Sequence, residues 1–217
     1  MTTPAAMATG PAPASVGSVA DLAAAAVAAR QGWAVRVSRV GSLVQAGFAG
    51  WWLARAVLAT TVPGRSLLAA AGIVGGATVV VVGGWSTRGL GGRPAGSAAR
   101  SVERKLTVAT IGQLAASVAV GAVAPALHRP ALATPLIVIS LGVLFWWMGG
   151  LLSMTSYRTL GAALVLGPAA VVAALPVAAW APVSAGVGGL LLMASARRGL
   201  TTVRRMGARR RTARLGR

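Results

Sequence analysis

The sequence predicts an all-α, polytopic helical membrane bundle of six transmembrane helices with both ends in the cytoplasm. Three observations predict it. Apolar residues make up 56% of the 217-residue chain and charged residues 11%, against roughly 25% charged in soluble domains. Six apolar runs of span length follow one another. The basic residues collect on alternate connections between them. Asp21 and Glu103 are the only acids, so a water-facing surface could not be dressed in charge and lipid must cover most of it.

Residues 1–20 are uncharged and mostly Ala, Pro, Thr, Ser and Gly. They lack the basic n-region of a signal peptide and read as a disordered leader. Residues 21–42 form an Ala-rich segment with Arg30, Arg36 and Arg39. Ser18 suits a helix cap, Asp21 a first turn and Trp33 a headgroup-level anchor. An interfacial helix is expected there, with a mobile arm as the alternative. A seventh span at 15–29 is disfavoured by its brevity and by Asp21.

The membrane domain is expected over 43–196. Its runs are 43–62, 67–85, 106–127, 135–155, 160–176 and 178–196. A span needs roughly 17–25 residues, so every run qualifies, the fifth only at the lower limit. Pro176 and Pro182 mark a tight turn between the last two. The alternative is one re-entrant segment over 160–196, which would put the tail outside. β-branched stretches such as Thr78–Val82 do not argue for strands, because an open strand leaves backbone groups unpaired in hydrocarbon. A barrel is excluded because continuous apolar runs replace its alternation.

Orientation follows from Lys and Arg. With the N-terminus inside, eighteen of the 21 basic residues lie on inner segments and nine of these are in the tail. Only Arg65 and Arg129 lie outside, and Arg55 falls within a span. Removing the tail still leaves nine against two. Trp85 and Tyr157 fall near the inner boundary and Trp180 near the outer one.

Arg55 is the most informative single position. A charge at the centre of a span costs roughly 2.5–3.5 kcal/mol, and no span carries an acid to pair with it. Trp51 and Trp52, four and three residues earlier, place a ring within reach. Two readings follow: Arg55 binds an anionic group, or it snorkels to the outer headgroups. A second pair, Trp146 and Trp147, also follows a glycine by four residues. That hints at an inverted repeat of two three-helix halves; ordinary bulky packing is the competing account. Gly72 and Gly76 supply a GxxxG face for close helix approach. Gln45, Gln113, Ser117 and Ser140 are polar residues within spans, expected to bond between helices. His128 lacks any neighbouring Cys, His or carboxylate and reads as a solvated loop residue.

The 197–217 tail carries Arg197, Arg198, Arg204, Arg205, Arg209, Arg210 and Arg211 among its nine arginines. Leu200, Val203 and Met206 recur every three residues, so an amphipathic helix is expected to lie on the inner leaflet and anchor to anionic headgroups. Docking to an acidic partner is the sharper alternative; nucleic acid is disfavoured as a partner.

Absences narrow the function. Cysteine is lacking, so thiol chemistry and Cys-ligated metals are excluded. No buried carboxylate offers a proton or sodium relay, and no acidic pair offers a Mg²⁺ site. Neither a cofactor nor a metal is expected, and an enzyme is disfavoured. The Ala-, Gly-, Val- and Arg-rich composition resembles that of GC-rich bacteria. The expected protein is a multi-pass component of a bacterial cytoplasmic membrane, a non-catalytic subunit or assembly partner forming homo- or hetero-oligomers. The alternative is a small transporter or lipid-handling protein binding an anionic or amphipathic molecule near Arg55, with Trp51, Trp52, Trp146, Trp147 and Gln113 as candidate contacts.

Overall fold

A computed structural model describes the backbone of residues 19–88 and 97–215, and side chains at 33, 35–88, 100–102 and 104–208. Residues 1–18 of the expected leader, with the Ser18 cap proposed for the helix after it, lie outside the described residues. The described chain is helical, with no strand. Its helices are α1 (Val19–Leu58), α2 (Arg65–Ser86), α3 (Ser97–Ala126), α4 (Ala133–Leu151), α5 (Thr155–Ala174) and α6 (Val177–Leu215), with a 3-10 turn at Pro130–Leu132 before α4.

Five of these helices, α2 through α6, are long and apolar enough to cross a membrane. Their outward faces suit hydrocarbon: Leu67, Val74, Val81 and Trp85 on α2 and Ile111, Leu114 and Val118 on α3 are exposed. α1 does not meet that criterion. Its position explains why: it packs along both α2 and α6, so protein covers faces that lipid would otherwise demand be apolar.

The helices are arranged in an open order. α2 lies on α1, α1 on α6, and α6 on both α5 and α4. α4 and α5 form a close hairpin, and among the described residues α3 touches only α4 and the 3-10 turn. The core lies where α1, α4, α5 and α6 meet, around Trp52, Val138, Phe145, Tyr157, Leu164, Ala185 and Leu192. Phe145 and Tyr157 stack with ring centroids 5.7 Å apart.

Glycines set the closest crossings. A Cβ on Gly50 would come within 2.8 Å of the Gly72 carbonyl oxygen and 3.0 Å of the Gly76 Cα. The GxxxG face therefore serves α1–α2 packing within the chain. Gly142 and Gly161 do the same for α4 and α5.

Two boundaries differ from the sequence expectation. α1 runs through 42–43 without a break, and α6 runs through 196–197. Hydropathy marks a change of solvent, and a helix need not stop where its solvent changes. At 1.5 Å per residue, these helices of 40 and 39 residues are each about 60 Å long, roughly twice the hydrocarbon thickness. They pair antiparallel: Gly186 approaches Ala56, Gly189 approaches Leu53 and Gly199 approaches Ser42. Val35 and Val203 are buried.

The turn between α5 and α6 falls at Leu175–Pro176, as Pro176 predicts, but Pro182 lies inside α6. α5 begins at Thr155, giving it 20 residues rather than the marginal seventeen of its apolar run.

Two helix ends use left-handed residues other than glycine. At His128 (φ 57°), the His128 N–H donates to the Pro125 carbonyl at 2.9 Å and the Arg129 N–H to the Ala124 carbonyl at 2.9 Å. This is a Schellman closure of α3. Ser153 (φ 54°) closes α4 identically, with Ser153 N–H to Gly150 at 3.3 Å and Met154 N–H to Gly149 at 2.9 Å.

Candidate functional site

Two features have the build of a site: a basic extension of α1 and α6, and a groove between α3 and α4. Both involve the basic end of the bundle, where α2 finishes.

At that end, Arg39 on α1 donates through a guanidinium N–H to the Gly84 carbonyl at 3.0 Å. Arg204 on α6 donates to Ser86 Oγ at 2.7 Å. Arg39 and Arg204 therefore stand level with the last turn of α2. Beyond them, α1 continues back to Val19 and α6 forward to Leu215. Arg197, Arg198, Arg204 and Arg205 are exposed, while the apolar edge beside them is used inside the protein: Leu200 and Val203 are buried. That edge packs within the bundle, so it is not free to dip into a leaflet as the spacing suggested. The side chains of Arg209, Arg210 and Arg211 lie outside the described residues; their backbone is helical.

The α3–α4 groove has a volume of 1290 Å³, larger than the roughly 300–1,000 Å³ typical of small-molecule sites. It exists because, among the described residues, α3 leans only on α4 and the 3-10 turn. Apolar side chains line most of it, among them Val108, Val120, Leu136, Ile139, Val143 and Trp147. Its polar lining is unevenly placed. Ser101, Arg104 and Lys105 sit at the basic end, and Gln113 and Ser140 sit midway. The Gln113 amide donates to Ser140 Oγ at 2.8 Å and lies 3.3 Å from Ser117 Oγ. Turned end for end, the same amide bridges the Ser140 hydroxyl and carbonyl, so either orientation ties α3 to α4 at this depth. Among the described residues no carboxylate lines the groove.

The residues nominated around Arg55 do not converge. Arg55 is in the last turn of α1, exposed, with its guanidinium 5.8 Å from the Trp52 ring centroid. The ring contact that the spacing predicted is present, and Arg55 is not among the residues lining the α3–α4 groove. Trp52 is a core residue, 5% exposed, whereas Trp51 faces outward at 54%. Trp146 is exposed at the α4–α5 hairpin, and Trp147 lines the groove. The two tryptophan pairs thus play different parts, which removes the contact-level support for an inverted repeat. Gln45 is buried in α1 with Oε1 unpartnered among the described residues. Tyr157, in the first turn of α5, is buried against Phe145, and Trp180 donates to the Leu175 carbonyl at 2.9 Å. Among the described residues no group of three His, Asp or Glu could hold a metal.

Gln113 and Trp147 are the nominated residues that the groove brings together. With Glu103, the residues Arg104 and Lys105 read in the sequence as a polar cap on the third span; their place at a groove mouth depends on how α3 meets α4. Comparison with protein-family models, with curated proteins and with solved structures finds no match.

Proposed function

We propose that this chain is a six-span protein of a bacterial cytoplasmic membrane, with both termini in the cytoplasm, acting as a non-catalytic assembly subunit. α1 supplies the sixth span. Its extension beyond α2, paired with that of α6, forms a basic two-helix stalk that engages an acidic partner protein.

One observation carries the reading: α1 and α6 continue as helices about twice the length that a bilayer requires. A tail serving only to orient the chain needs charge and no such length. From the level of Arg39, α1 extends a further 20 residues, about 30 Å. Arg197 and Arg198 at the stalk base meet anionic headgroups. The α6 backbone continues past them to Leu215, farther than the roughly 8 Å over which salt permits strong attraction. Scarce acid–base groups agree with a structural rather than a catalytic role.

Purification of the tagged full chain in mild detergent, followed by cross-linking and mass mapping, tests this. A stoichiometric protein partner cross-linked to residues 204–215 is expected, lost when Arg204, Arg205, Arg209, Arg210 and Arg211 become Gln. Single cysteines at Leu90 and Ala213 should label from the cytoplasmic side, and one at Gly64 from the other. Recovery of the chain without partners, or labelling of Leu90→Cys and Ala213→Cys on opposite faces, overturns the reading.

A further inference from the structure

We infer that the α3–α4 groove is a binding site for an anionic phospholipid, its headgroup held by Arg104 and Lys105 and its acyl chains lying along the apolar lining. The inference rests on membrane insertion and is independent of any protein partner.

Dimensions support it. From Lys105 to Gln113 along α3 is eight residues, about 12 Å. Half of the roughly 30 Å hydrocarbon core is about 15 Å. The apolar stretch between the basic mouth and the Gln113–Ser140 bond therefore matches the depth of one leaflet. Acyl chains entering at the mouth reach the polar pair near the midplane, where each leaflet's chains end.

Charge selects the occupant. Arg104 and Lys105 are both exposed at the mouth, with the Ser101 hydroxyl beside them. A phosphate offers acceptors for the Arg fork and the Lys ammonium together. A purely apolar helix offers no acceptor at that end, and a second copy of this chain, with 21 basic residues against two acids, brings chiefly more positive charge. Arg55 does not line this groove, whereas Arg104 and Lys105 do, so the cations that meet the apolar lining are those at the start of α3.

Native mass spectrometry of the full chain, released from nanodiscs holding equal phosphatidylglycerol and phosphatidylcholine, tests the site. Wild type should retain one or two phosphatidylglycerol molecules in preference to phosphatidylcholine. A basic residue near an anionic surface is worth roughly fivefold in affinity, so the Arg104→Gln/Lys105→Gln double variant should lose about 25-fold of that preference. Arg65→Gln/Arg129→Gln, exposed at the other end of the bundle, should retain it. Ala109→Trp, which fills the groove, should eject the lipid while the headgroup residues remain. A photoreactive phosphatidylglycerol should cross-link to Val108 and Trp147, which reads the site even if Ala109→Trp misfolds. Equal retention of the two lipids, unchanged preference in the Arg104/Lys105 variant, or cross-links scattered over α2 instead would each overturn the inference. So would a chain dimer or a bound foreign helix occupying the groove and cross-linking there in place of lipid.

Discussion

The Arg39 guanidinium hydrogen-bonds the Gly84 carbonyl at 3.0 Å, joining α1 to the last turn of α2 across 45 residues of sequence. The bond places a cation at the C-terminal, partially negative end of α2, where carbonyls lack helical partners. Arg204 reaches the same end from α6 through Ser86. Both long helices therefore grip α2 where it would leave the bilayer. A half-buried hydrogen bond from a charged donor contributes about 1.5 kcal/mol, whereas an exposed one contributes much less. Arg39→Ala should lower stability by about 1–2 kcal/mol in SDS titration from mixed micelles. Arg204→Ala should cost under about 0.5 kcal/mol, and a larger loss there than at Arg39 would contradict this account.

The closures of α3 and α4 store a little backbone energy. His128 and Ser153 hold positive φ at positions that glycine fills at no steric cost. The left-handed conformation costs an L residue roughly 1–2 kcal/mol, partly offset by the greater freedom glycine has when unfolded. Ser153→Gly and His128→Gly should each raise stability by about 0.5–1 kcal/mol in the same titration. Ser153→Val should lower it, since a β-branched side chain tolerates this conformation least.

How much of this could be read in advance differs by feature. α2 lies within two residues of its apolar run, and Pro176 stops α5 where it was placed, because lipid and proline act locally. The Gln113–Ser140 contact was legible as a class of interaction but not as a pair, since the partner is 27 residues distant. The continuity of α1 through Ser42 and of α6 through Arg197 was not legible. Apolar runs report where water ends, and nothing at those positions breaks a helix. The groove was hidden for a different reason: it arises from what α3 fails to touch, and packing order leaves no periodic trace in a chain where Ala and Gly recur everywhere.

Glycine positions separate packing from composition. A Cβ at Gly142 would sit 2.8 Å from the Gly161 carbonyl oxygen and 2.9 Å from the Val165 amide nitrogen, both backbone atoms that cannot rotate aside. At Gly112 on α3 nothing lies within 4 Å. Gly142→Ala should force α4 and α5 apart at a cost of about 1–3 kcal/mol. Gly112→Ala should be neutral or stabilising by up to about 1 kcal/mol, because alanine is the better helix former and lipid is its only new neighbour. Equal effects at the two sites would mean that the α4–α5 crossing is looser than the geometry requires.

Trp51 and Trp52 are adjacent in sequence and opposite in consequence. A step of about 100° along the helix turns one ring outward and the other into the meeting point of four helices, where it packs with Val138 and Leu192. Truncating a core tryptophan removes its dispersion contacts and leaves a cavity, costing about 3–5 kcal/mol. Trp52→Ala should therefore lose at least about 3 kcal/mol, and Trp51→Ala under about 1 kcal/mol, since lipid tails replace the contacts that it loses. Arg55 supplies a further discriminator. Its attraction to the Trp52 ring at 5.8 Å is worth about 0.5–1 kcal/mol at an exposed site, so Arg55→Ala should cost no more than that, and in the Trp52→Ala background it should cost nothing additional. A double-mutant cycle measures that coupling directly. If Arg55→Ala instead abolished insertion or lipid retention while Trp52→Ala spared them, the charge would have a role of its own that an exposed last-turn arginine does not explain.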